Sequence, residues 1–124
     1  MFGFRKLQVW QISKELVIEV YGLTRKFPAA EKFGLVSQIN RAAISVVSNL
    51  AEGSGRMSRK DQTHFTQISF GSLMELACQL EVSKDLGFVD EESWESINGR
   101  IKTVAEKLSA LRNSQLLRHR EGAC

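Results

Sequence analysis

A chain of 124 residues, 43% hydrophobic and 25% charged, has the length and balance of one domain able to bury its own core. Its single proline and nine glycines disfavour a turn-rich β fold, and a formal net charge of +3 is far below that of a histone-like chain. No run approaches the ~20 apolar residues of a membrane span, which excludes a transmembrane helix.

The start, MFGFRKLQVW, lacks the continuous apolar core and small-residue cleavage site of a signal peptide, so a cytoplasmic protein is expected. Cys78 and Cys124 lie in unlike settings, and no CxxC or Cys/His spacing accompanies them. Neither a disulfide framework nor a zinc site is supported.

The first predicted helix spans about 6–26. Val9, Ile12, Leu16, Val20, Leu23 and Phe27 recur three and four residues apart, with Gln8, Gln11, Glu15 and Glu19 on other faces. Pro28 ends it, because proline disfavours helical geometry in the residue before it. A connector, PAAEKFG, leads to a second helix over 35–52. Gly53 and Gly55 are expected to close that helix by accepting the left-handed conformation.

Ser58 and Asp61 form an S-x-x-D capping pattern that opens a third helix over 59–86, ended by Gly87. Asp90 caps a fourth helix over 91–117, and Glu91 and Glu92 suit the positive end of its dipole. There Trp94, Ile97, Ile101, Val104, Leu108 and Leu111 form a seam of period 3.5. Three short connections force neighbouring helices antiparallel. The expected fold is all-α, an up-down-up-down four-helix bundle in one domain, 1–124.

Two helices depart from a plain amphipathic pattern. In the second, Gln38, Arg41, Ser45, Asn49 and Glu52 form a polar stripe beside an apolar one of Leu35, Ile39, Ala42, Val46 and Leu50. The third is apolar over most of its circumference, with Ser72, Glu75 and Gln79 as a narrow polar line. A helix apolar nearly all round is buried on more than one side, so Phe70, Leu73, Met74 and Ala77 are expected at a contact with another subunit. Folding the hairpin about 55–57 brings Arg41 near Ser72 and Glu75. A charge-assisted Arg41–Glu75 bond inside an internal polar seam is therefore expected, setting register more than stability.

The order L-x-V-W (Leu7 to Trp10), V-Y (Val20, Tyr21), F-P-x-x-E-x-F-G-L (Phe27 to Leu35), Q-I-x-R-A-A-x-S (Gln38 to Ser45), N-L-A-E-G-x-G-R (Asn49 to Arg56) and G-S-L-x-E-L (Gly71 to Leu76) resembles the bacterial four-helix bundle family also called 23S rRNA intervening-sequence proteins. The resemblance runs from Leu7 to about Phe88. It implies a homopentamer with a central channel. A related branch, serving diversity-generating retroelements, binds a reverse transcriptase and nucleic acid through a basic pentamer. The matching positions are Gln38, Arg41, Ser45, Asn49, Glu52, Gly53, Ser72 and Glu75, to which the family assigns no catalytic role. This chain has Phe70 where many relatives carry a basic residue.

The antiparallel layout gathers Arg5, Lys6, Arg56, Arg59, Lys60, Arg112, Arg118 and Arg120 at one end, against Glu52, Asp61 and Glu121. The opposite end is acidic, with Glu81, Asp85, Asp90, Glu91, Glu92 and Glu95 among its residues. A footprint for a phosphate backbone is one reading of this polarity. Charges that complement helix dipoles are the other, although dipoles do not account for Arg59 and Lys60 at a helix start.

Catalytic machinery is lacking. Asp61-x-x-His64 is half of a di-metal bundle motif without its second half, no glycine-rich loop follows a strand, and Cys78 has no base beside it. The sequence predicts a non-enzymatic homo-oligomer without metal or cofactor. It either touches structured RNA or DNA, or serves as an adaptor for a peptide or protein partner.

Overall fold

The structure, a computed structural model, describes the backbone of residues 2–120 and the side chains of residues 2–118. Four helices, α1 Gln8–Thr24, α2 Leu35–Ser54, α3 Arg59–Asp85 and α4 Glu91–Arg120, are accompanied by short 3₁₀ turns at Gly3–Lys6 and Ala29–Glu31. Each helix packs against its neighbours in sequence, and α4 closes the ring against α1, while the diagonals stay apart. This is the up-down-up-down bundle. The α2–α3 contact is the most extensive and α1–α4 the least.

One core runs the length of the ring. Val9, Leu16 and Val20 of α1 meet Ile39, Ala42, Val46 and Leu50 of α2, Leu73, Leu76 and Leu80 of α3, and Ile97, Ile101, Val104 and Leu108 of α4. These are the apolar periods of the sequence, with Ile12, Leu23, Trp94 and Leu111 packed half-buried at the margins. Phe27, beyond α1, meets Phe88 at a ring separation of 5.5 Å and seals the end of the bundle below Pro28. At the other end Phe4 stands edge-on to Trp10, centroids 4.7 Å apart, and holds the N-terminal turn on α1.

The helix ends follow their chemistry, with one correction. Ser58 Oγ accepts from Asp61 N at 3.1 Å, and Asp90 Oδ1 accepts from Ser93 N at 2.8 Å. Gly87 has φ +85°; its N–H donates to Lys84 O and that of Phe88 to Ser83 O, a Schellman closure. Gly53 and Gly55 do not close α2 in this way. Gly53 lies inside the helix, and Gly55 at its end has φ −91°, in the right-handed region. The requirement at Gly53 is space: a Cβ there would stand 2.9 Å from Phe65 Cβ on α3.

The inward side of α3 is also corrected. Its buried residues are Thr63, Thr66, Ser69, Leu73, Leu76, Leu80 and Ser83, so small hydroxyls fill the tight half beside α2. Ser69 Oγ donates to Val46 O across the helices at 2.7 Å, while Thr63 and Ser83 turn back to the carbonyls of Arg59 and Gln79. Between α1 and α4, Arg100 joins Glu19 (Nε to Oε1, 2.6 Å) and Glu15 (3.5 Å), and Ser96 donates to Glu19.

Candidate nucleic-acid interface

The polar stripe of α2 and the polar line of α3 meet, as the hairpin requires, but on the outside of the protomer. Ser45 and Ser72 share a hydrogen bond of 2.7 Å, and Asn49 Nδ2 donates to Ser45 O and Oγ at 2.8 and 3.0 Å. Above them a shallow depression is lined by Gln38, Arg41, Ala42, Ser45 and Glu75. Arg41 and Glu75 share this rim without forming the expected ion pair. Both side chains are exposed, where hydration competes with pairing and an isolated bond gains little. Glu75 instead accepts a long 3.5 Å contact from Gln79, and Glu52 pairs with Arg56 at 3.4 Å. The seam is thus a hydroxyl–amide zipper whose charged members face outward.

The residues expected at a subunit contact divide. Leu73 is 0% exposed within its own protomer, so it belongs to the core and is removed from the interface set. Phe70 and Ala77 are half-buried against the core, and the Phe70 ring lies 5.8 Å from the Arg112 guanidinium of α4. Met74 is 41% exposed.

The face that α3 leaves open comprises Ile68, Gly71, Met74, Glu75, Cys78 and Val82, all exposed. Five of them, 68, 71, 75, 78 and 82, recur three and four apart on the side opposite the core. The extra apolar surface read from sequence exists, but on these residues. Their heptad spacing was the available signal, masked because the inward positions 63, 66 and 69 are hydroxyls instead of aliphatics.

At the basic end the N-terminal turn, the end of α2, the start of α3 and the end of α4 converge. Arg5, Lys6, Lys60 and Arg118 are exposed. Arg56 is held by Glu52 and lies 4.7 Å from the Phe65 ring. Arg59 is half-buried and donates from Nη1 to Gln62 Oε1 at 2.9 Å, and Gln62 Nε2 donates to Arg56 O. The Arg120 side chain lies outside the described residues.

Arg59 and Arg118 border one cavity of about 270 Å³, lined also by Gly3, Leu7, Gln62, Thr66 and Gln115. Sequence reasoning missed Gln62, Thr66 and Gln115, because a glutamine or threonine on a helix carries no sign of which end it will serve. At the opposite end the Ser93 backbone N–H, its hydroxyl and then Lys26 hold Asp90 below the usual carboxylate range. Among the described residues no three His, Cys, Asp or Glu side chains gather into a metal site. No helix among them is long and apolar enough to cross a membrane.

No protein of curated function matches the chain. A solved structure from Bacteroides thetaiotaomicron VPI-5482, a protein with unknown function from the S23 ribosomal protein family, matches with a TM-score of 0.78 at 24% identity. The match covers 84% of this chain and 97% of that one, and supports the same fold. The sequence profile of the 23S rRNA-intervening sequence protein family matches residues 5–110. With most of its length inside that profile, the chain belongs to the 23S rRNA-intervening sequence protein family.

Proposed function

We propose that the protein is a non-enzymatic, self-associating helical bundle of the cytoplasm, pentameric by the family resemblance, that presents its basic end to structured RNA or DNA. The observation that carries this reading is the set of cations without acidic partners at that end. Among the described residues Arg5, Lys6, Arg59, Lys60 and Arg118 form no ion pair. Cations left free of protein carboxylates are available to phosphates, and repetition around an oligomer multiplies their field. Among the described residues no aromatic side chain lines the cavity there, which favours backbone contact over base stacking.

The test is fluorescence anisotropy with a labelled RNA hairpin at fixed salt. Arg59→Glu combined with Lys60→Glu should weaken binding by about tenfold or more, since reversing two cations removes phosphate contacts and adds repulsion. Unchanged affinity would remove the basic end from the account. The exposed α3 face supports a second reading, an adaptor for a peptide or protein partner. Retention of one protein partner at physiological salt, with no nucleic acid, would favour it.

A further inference from the structure

We propose that the cavity between Arg59, Arg118 and Gln115 is a receptor for a terminal phosphate monoester, the phosphorylated end of a nucleic-acid strand. This rests on the nucleic-acid reading above and adds where, and by what group, the strand is anchored.

Among the described residues the lining contains two arginines and no carboxylate. Neither arginine has an acidic partner among the described residues, and Arg59 commits only one N–H, to Gln62. Its remaining donors form the planar fork that matches phosphate oxygens. The cavity floor supplies an independent observation. Gln115 is 8% exposed, yet its amide nitrogen has no acceptor among the described residues. Gln115 is itself one of the residues lining the cavity. A buried amide whose nitrogen lacks an acceptor among the described residues is an incomplete group, and an anion completes it.

Thr66 stands against the amide. Its Oγ1 lies 2.9 Å from Gln115 Oε1 and 3.0 Å from Gln62 O, and its one proton serves one of them. An anion in the cavity draws the amide nitrogen toward itself and leaves Oε1 to accept from Thr66. The carbonyls at the end of α2, which would repel an anion, are partly screened. Ala51 O accepts from Ser54 Oγ, Glu52 O from Gly55 N and Gly53 O from Arg56 N.

The shape selects the kind of phosphate. Walls from four chain segments, with Leu7, Leu50 and Leu111 among them, leave about 270 Å³. That is just below the ~300–1,000 Å³ of a typical small-molecule pocket. A recess of this size suits a small group entering end-on. Two guanidiniums and an amide also suit a dianionic monoester better than a singly charged diester.

The experiment uses the full chain and one RNA hairpin prepared with a 5′-phosphate or a 5′-hydroxyl, with anisotropy titrations at constant salt. The 5′-phosphate should tighten binding about tenfold or more, the usual scale for charge-assisted hydrogen bonds. Arg118→Gln, at an exposed position that should not disturb folding, and Gln115→Met should each abolish that ratio. Lys60→Gln, outside the cavity, should weaken both RNAs equally and keep the ratio. Equal binding of the two RNAs by the native chain overturns the receptor and leaves the nucleic-acid reading intact. If neither RNA binds but inorganic phosphate or a nucleoside monophosphate shifts the Gln115 side-chain amide resonance, the receptor stands for a free phosphate and the nucleic-acid reading falls. No response to any of these probes overturns both.

Discussion

At the residue scale the most constrained of the described glycines is Gly53, and the constraint is a distance. An alanine there gains up to ~1 kcal/mol of helix propensity but drives a Cβ to 2.9 Å from Phe65 Cβ, atoms close to both backbones that cannot swing aside. Gly53→Ala should therefore destabilise the protein by about 1–2 kcal/mol in urea denaturation. Gly99→Ala, with open space around it, should not. From sequence Gly53 read as a helix stop, since glycine after a helical run is the usual signal. Which of its two properties a glycine supplies, a positive φ or a missing side chain, depends on what lies across the hairpin. Arg41 and Glu75 carry the same lesson, because spacing brought them to one rim but exposure removed the reason to pair.

At the element scale, three helix ends were legible because caps are local chemistry: Ser58, Gly87 and Asp90 act through residues within five positions. Asp90 caps α4, and its lowered pKa fixes the sign of a pH effect. The Ser93 backbone N–H is the largest cause, followed by the Ser93 hydroxyl and the charge of Lys26. A carboxyl depressed by folding stabilises at pH values above its ordinary range, and that contribution is lost as pH falls through its folded value. Asp90→Ala should lower the Tm near pH 7, and the gap to the native protein should shrink below about pH 4. A gap that widens in acid would contradict the assignment. The third helix was less legible. Its hydroxyls at 63, 66 and 69 turn inward against close neighbours while Ile68 and Val82 face out, so hydrophobicity alone assigned some residues to the wrong side.

On the scale of the whole molecule, the four-membered ring and its charge polarity followed from three short connections and four apolar periods, all visible in sequence. What covers the outward face of α3 was not visible, and the proposal of self-association rests there. Val82→Glu places a charge on that face without touching the core. It should reduce the mass measured by light scattering while preserving the helical circular dichroism signal. Leu73→Glu should instead unfold the chain, because Leu73 is fully enclosed in its own protomer. An unchanged mass for Val82→Glu would remove α3 from the interface.

The central claim is that the cations at one end of the bundle, which form no ion pair among the described residues, meet phosphates. Its most direct measure is the slope of log Kobs against log salt for an RNA hairpin. The native chain should give a steep negative slope, and Arg59→Gln with Lys60→Gln should make it shallower by about 2 for each protomer in contact. Tight binding with a slope near zero, or a slope untouched by these substitutions, would contradict the account.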